Sequence, residues 1–571
     1  MKPVMFSPQK EQMRMSNVRK GRVLVALAIA SSATSVLADG HLLAVGGMLR
    51  ASNLPVYHKF VDLAGGSGAA KIVIFPTASG SLGSSKRFQA ELVALGVPAS
   101  HVTIASIDSK NYAQTMNDPE AVRPITEASA VWFVGGDQAR IAKALFNADG
   151  SDSLAMQAVR NVYEHGGVIG GTSAGASILG AQMPTAYGVV MDTLDFGVAK
   201  SAGQRGAALL KGSGLFKAGI IDQHLDQLEE TSTGRTARMA SYLVDDPRGK
   251  GFGLDTNTAM WVKPDGQIEV IGEGYLTVMD ASHATKRFGV YGTQLHNVQL
   301  AMLGNGDQYN LSTNAVLPAE GKEVIKPGDE YLVGNQLITD LSAVAAMRRA
   351  VLYGLADNTA TRQSGLMTRY NPANGYHYGY RFDFTKAPGF VAHSKTYDSL
   401  TNYTAQGVSL DVTPVDARLR PAQKNLPTDI TADRASDAVR AVVFRGLMTC
   451  NEANAFEPAR AITRGELANT LQMTLAGEMK VDKRPVFTDL PADSLLFDQA
   501  EIVVSNGWMK SGPAFEANKP VTREEWVEAA KVLVAQGRVT TVLPDSSKAS
   551  TVRREEVAEL IARAYDLGDK S

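Results

Sequence analysis

The stretch Gly167-Val168-Ile169-Gly170-Gly171-Thr172-Ser173-Ala174-Gly175-Ala176-Ser177-Ile178-Leu179 decides how this chain is read. It opens as a short apolar strand, narrows to small residues and runs on into a helical pattern. That satisfies G-x-S-x-G in its strand–turn–helix context. A serine on so tight a turn takes strained dihedrals, and its neighbours must be small to avoid clashes. Its hydroxyl then projects beyond the strand at the start of a helix, where free backbone N–H groups and the helix dipole favour a developing oxyanion. A phosphate-binding turn shares this Gly/Ser composition, but no P-loop Lys follows. The pattern predicts a nucleophile-elbow serine at Ser173.

Working outward, LLAVGG (from Leu42), KIVIFPTA (from Lys71), HVTIASI (from His101), AVWFVGG (from Ala130) and GGVIGG (from Gly166) read as buried strands. They are rich in Val and Ile and end in Gly or polar turns. Amphipathic helical stretches separate them. This alternation predicts an α/β fold, a parallel-sheet sandwich with helices on both faces. Ligands bind such sheets beyond the carboxyl ends of the strands. Those ends read Gly46-Gly47, Pro76-Thr77-Ala78, Gly135-Gly136-Asp137-Gln138 and Gly171-Thr172-Ser173.

A serine nucleophile needs a base. Among nine histidines, His224 follows an apolar strand in Ile220-Ile221-Asp222-Gln223-His224-Leu225. A lone His at a strand end is commonly structural; its place in an Asp-Gln-His cluster after the serine strand makes it the candidate base.

Gly135-Gly136-Asp137-Gln138, Gly170 to Ala176, Asp222-Gln223-His224 and Gly253-Leu254-Asp255 with Thr258-Ala259, in this order, resemble the cyanophycinase family of serine peptidases over roughly His41 to Val278. The resemblance implies cleavage of cyanophycin, a polyaspartate backbone bearing arginine on each side chain, to β-Asp-Arg dipeptides through a Ser–His acyl-enzyme. It implies Ser173 as nucleophile, His224 as base, an oxyanion hole from Ala174 and the Gly136 loop, and substrate contacts from Gln138, Asp222, Gln223, Arg235 and Arg238. It also implies a homodimer. No cofactor is implied, and no metal-ligand spacing such as H-E-x-x-H occurs.

Two departures stand out. The family's triad acid is a Glu where this chain has Thr256, and loss of a triad acid costs about 10⁴-fold in rate. Asp255, Thr256, Glu229 and Glu230 remain candidates for the third member. After His224, the run Leu225 to Thr233 carries an apparent insertion with Asp226, Glu229 and Glu230 before Arg235 and Arg238; Thr233 falls where the family has its first arginine. The acidic residues suit either a guanidinium or a solvated loop. Two other readings therefore stay open: a catalytically impaired, surface-polymer-binding protein of the same fold, and an α/β-hydrolase-type esterase with Asp192 or Asp195 as its acid.

The 571 residues exceed what one core usually supports. Six basic residues precede VLVALAIA and Val36-Leu37-Ala38, so residues 1–38 read as a signal peptide and the product as secreted or envelope-associated. The apolar run is too short to span a bilayer. The full chain balances 57 basic against 58 acidic residues. Residues 1–38 hold six of those bases and one acid, so the chain from Asp39 carries a net charge of −6, unlike a nucleic-acid-coating protein. The one cysteine, Cys450, excludes an intrachain disulfide and multi-cysteine zinc sites. Residues 39–280 form the expected peptidase-like domain, and 281–429 an extension completing or decorating it, with a linker.

From 430 to 571 the texture turns to short helices with a recurring phrase. Phe456-Glu457-Pro458 leads to Thr463-Arg464-Gly465-Glu466, Phe515-Glu516 leads to Thr522-Arg523-Glu524-Glu525, and a worn copy shows Val552-Arg553-Arg554-Glu555-Glu556. The phrase resembles the S-layer homology module and implies a cell-wall or envelope polymer as partner. Thr followed three residues later by Glu is also a helix capping box.

Overall fold

The computed structural model describes residues 40–564 apart from 185–189, 199–208, 227–234, 247, 336–337, 372, 374, 398–399, 419–426, 432–433, 476–486, 492–493, 495 and 536–548. The expected signal peptide, Glu229, Glu230 and Thr233 lie outside the described residues.

Five strands, β1 (His41–Val45), β2 (Ile72–Phe75), β3 (Val102–Ile104), β4 (Ala130–Phe133) and β5 (Val168–Thr172), pair in parallel in the order β1-β5-β4-β2-β3. Every residue of β2 and β4 is buried, which is why they read as unbroken apolar runs. The intervening helices contribute Phe60, Phe88, Ile141 and Val159 to the same core. Beyond β1 the sheet continues antiparallel through Thr258–Val262, Gln267–Gly272, Gln308–Asn310 and Val316–Leu317. The link from Val262 to Gln267 is too short for a parallel crossover, so it makes a hairpin, with Gly266 at φ +81°. The expected parallel sheet is therefore mixed.

A second sheet starts with Ile220–Asp222 parallel to Lys250–Leu254. It then runs antiparallel through Leu276–Asp280, Gly292–Leu303, Leu400–Arg418, Tyr376–Tyr397 and Glu323–Val324. Strands from both sides of position 280 thus share one sheet, over a core that includes Leu295, Val298, Phe382, Phe384 and Leu410. The extension is built on strands as long as 22 residues.

The C-terminal helices enclose a separate core that includes Phe456, Leu467, Phe515, Trp526 and Ile561. Helices Arg464–Thr474, Arg523–Ala535 and Arg554–Ala564 each begin at one copy of the repeated phrase. Arg464 pairs with Glu525, Arg523 with Glu556, and Arg554 with Glu466, so each copy grips the next and the third returns to the first. Short β-bridges follow the same circuit: Thr463 with Pro520, Thr522 with Thr551, Ala461 with Arg553. The worn copy keeps its ring position through Arg554 and Glu556. The capping box is present as well, with Thr463 and Glu466 each satisfying the other's backbone N–H.

Candidate active site

The end of β1 organises the site. Three successive carbonyls, of Val45, Gly46 and Gly47, accept hydrogen bonds from the backbone N–H groups of Ser173 (2.9 Å), His224 (2.8 Å) and Asn257 (2.7 Å). Three motifs distant in sequence are pinned to one tripeptide. Ser173 comes from the first sheet, while His224 follows a strand of the second.

Ser173 sits between β5 and the turn of helix Ala174–Ser177, half-buried, with φ +54° and ψ −117°. Such dihedrals cost a non-glycine residue about 1–3 kcal/mol and cluster at functional sites. They are held here by tight packing: a Cβ on Gly175 would lie 2.0 Å from the Phe133 carbonyl oxygen. The helix has only four residues, so its first N–H groups, rather than a long-helix dipole, are what it offers an anion.

His224, also at positive φ (+54°), brings its Nε2 to 2.9 Å from Ser173 Oγ. The imidazole is buried, and burial, reinforced by the Arg235 charge, pushes its pKa down to about 4. It is therefore a neutral base at ordinary pH. Its ring lies directly over Gly47, where a Cβ would stand 2.2 Å from Cε1 and 2.3 Å from Nε2. Gln223 Oε1 lies 3.4 Å from Ser173 Oγ.

The other predicted residues fall into two groups. Ala174, Gly136 and Gln223 border the serine or its turn: Ala174 follows it in sequence, and Gly135, the neighbour of Gly136, packs so closely that a Cβ would lie 3.2 Å from Ser173 Cβ. Gly136 itself has φ +143° and crosses close to Ala78. The remainder face other partners. Arg238 holds buried Asp222 through both Nε (3.1 Å) and Nη2, and Arg235 approaches the same carboxylate at 3.6 Å. Gln138 is 1% exposed and its amide donates to the Pro184 carbonyl. Asp255 accepts from Arg348 Nη2 (2.7 Å) and the Tyr275 N–H (3.0 Å); burial, with the nearby Asp226 charge, outweighs Arg348 and raises its pKa to about 6. Thr256 donates its hydroxyl to Asp226 Oδ2 (2.7 Å) and its N–H to Asp226 Oδ1 (3.1 Å). Asp226, which sequence reasoning grouped with an acidic loop, is 5% exposed and belongs to this cluster. Asp192 and Asp195 are held by Arg369, and Asp195 also by the Tyr380 hydroxyl.

A serine at the carboxyl edge of a parallel sheet, within hydrogen-bond reach of a neutral buried imidazole, is the disposition in which serine hydrolases hold nucleophile and base. The model of Peptidase family S51 matches residues 42–271, and that of the S-layer homology domain residues 428–468. Over those two spans the chain resembles these families. The cyanophycinase of Geminocystis herdmanii (strain PCC 6308) is 32% identical over 197 residues, 33% of this chain and 65% of that protein. The cyanophycinase of Trichormus variabilis (strain ATCC 29413 / PCC 7937) is 29% identical over 205 residues, 35% of this chain and 62% of the relative. The chain thus spans just under two thirds of the length of these curated relatives. Among solved structures, a peptidase from an acI-B1 Actinobacterium aligns at 20% identity and a TM-score of 0.30, covering 43% of this chain and 92% of that one.

Proposed function

We propose that this chain is a serine peptidase of the cyanophycinase type, held at the cell envelope by its S-layer homology repeats. The single observation that carries the reading is the 2.9 Å approach of His224 Nε2 to Ser173 Oγ on a strained turn, within the span that resembles peptidase family S51. In this reading Ser173 Oγ, on a nucleophile elbow, attacks a carbonyl carbon that joins two backbone aspartates, and each arginine stays on its aspartate side chain. His224 takes the hydroxyl proton and later returns it to the leaving nitrogen. The N–H groups of Ala174 and Gly136 supply the oxyanion donors. Gln223 lies beside the nucleophile and contacts the acyl group. Arg238 acts on substrate only through Asp222, since the two spend their charges on each other.

The arginine-bearing polyaspartate is proposed from the names of the relatives. Release of β-Asp-Arg dipeptide from purified cyanophycin by the wild type, and none by Ser173→Ala, tests it. A folded wild-type chain that releases no dipeptide overturns the substrate. The ion pairs of Asp192 and Asp195 with Arg369 weigh against an esterase that draws its acid from that interval.

A further inference from the structure

A Ser–His pair works best when a carboxylate steadies the imidazolium that forms as the serine proton is taken. Among the described residues, three buried carboxylates lie in the turns around His224: Asp222, Asp226 and Asp255. Two are neutralised by contact with cations. Asp222 is held by Arg238 with Arg235 alongside, and Asp255 by Arg348. Among the described residues, the Asp226 carboxylate accepts from neutral donors, the N–H and hydroxyl of Thr256. Arg348 reaches it through space rather than by contact. Asp226 therefore has the least compensated negative charge of the three.

Its placement fits the task. The Leu225 N–H donates to the Leu254 carbonyl (3.0 Å), so residues 224–226 run beside 254–256. Both segments converge on the Gly46-Gly47 turn, which accepts from His224 and Asn257 and lies beneath the imidazole. Asp226 ties the two segments together at Thr256, and the Ala345 N–H fixes its backbone carbonyl (2.8 Å). We infer that Asp226 is the positioning carboxylate of this site: fastened by Thr256, it holds the His224 turn in place and offsets the charge of the imidazolium. This rests on the proposed Ser173–His224 pair. As Ser173 Oγ bonds to the carbonyl carbon, the carbonyl electron pair moves to oxygen and the serine proton moves to His224 Nε2. When the carbon–nitrogen bond breaks, that proton goes to the leaving nitrogen. Asp226 stays ionised throughout. The charges that act on the resting His224 are, in order of size, Arg235, Asp222 and Arg238.

The test uses the full chain, with fluorophosphonate labelling of Ser173 followed over a range of pH and dipeptide release measured in parallel. Asp226→Asn is expected to slow labelling and to lower kcat, by at least tenfold and up to about 10⁴-fold. Its acid limb should lie at lower pH than that of the wild type, with KM little changed. Thr256→Val, which keeps the backbone hydrogen bond, is expected to move labelling and the acid limb in the same direction, and serves if Asp226→Asn does not fold. Thr256→Glu introduced into Asp226→Asn should recover at least tenfold of the lost rate. Folded variants that label at the wild-type rate with an unmoved acid limb overturn the role of Asp226. A folded wild type that is not labelled at all overturns the Ser173–His224 pair, and this inference with it.

Discussion

Gly47→Ala tests whether the tripeptide at the end of β1 sets the catalytic geometry. The added methyl would lie 2.2 Å from His224 Cε1, 2.3 Å from Nε2 and 2.9 Å from Cδ2. Carbon atoms settle at about 3.5–4.0 Å, so the ring must retreat by roughly 1.3 Å or more. Starting from 2.9 Å, the Ser173–His224 contact then opens to about 4 Å, beyond the ~2.6–3.2 Å reach of proton transfer. A displacement of about 1 Å costs on the order of 10²-fold, or about 2.7 kcal/mol in the barrier. The backbone adds a separate strain, because Gly47 has φ +117°. Gly66→Ala is the control. Gly66 also has positive φ (+82°), yet nothing lies within 4 Å of its would-be Cβ. Both variants should lose a few degrees of Tm, consistent with about 1–3 kcal/mol of strain. Only Gly47→Ala should lose about 10²-fold in kcat/KM and in fluorophosphonate labelling. Near-native kcat/KM in Gly47→Ala, or an equal loss in Gly66→Ala, would refute the reasoning.

Further expectations follow from the same geometry. Because burial holds His224 near pKa 4 instead of 6.5, the acid limb of kcat/KM should fall near pH 4, as a pH–rate profile would reveal. The folded chain binds fewer protons at His224 than the unfolded chain between those values, so this residue's contribution to stability falls as pH drops through that window. Asp255, raised to about 6, works in the opposite sense. Replacing His224 by Gln removes its penalty, so the Tm of the variant should gain on that of the wild type on acidification from about pH 6.5 to 4. In the repeats, Arg554→Ala leaves the carbonyls of Phe456 and Thr449 without that donor, while Glu466 keeps Arg460, and should destabilise this part of the chain by about 1–3 kcal/mol. The neighbouring exposed Arg553→Ala should stay within about 0.5 kcal/mol, as thermal melts would show.

The five parallel strands were legible because strands buried on both faces announce themselves as continuous apolar runs. Ser173 was legible because its turn demands small residues in a fixed order. His224 stood out by its place in a polar cluster at a strand end. What was hidden lies in pairings between distant segments. Nothing local in Gly46-Gly47 tells that its carbonyls hold three motifs, and these glycines read as an ordinary turn. Asp226 read as part of an acidic insertion because its partner, Thr256, is 30 residues away. The long strands Tyr376–Tyr397 and Leu400–Arg418 were obscured by Gly and Asn residues such as Gly379, Gly389, Asn402 and Gly407. Gly389 and Gly407 have positive φ at the register shift between the two strands, where a bulge takes up the extra residues.

The closed circuit of Arg464–Glu525, Arg523–Glu556 and Arg554–Glu466 has a bearing on synthesis. A two-copy fragment loses the Arg554–Glu466 and Arg523–Glu556 pairs, although Glu466 keeps Arg460. The first helix of the array, Arg434–Phe444, also packs against the last, Arg554–Ala564. The array is therefore expected to reach its full stability only once the third copy has been synthesised.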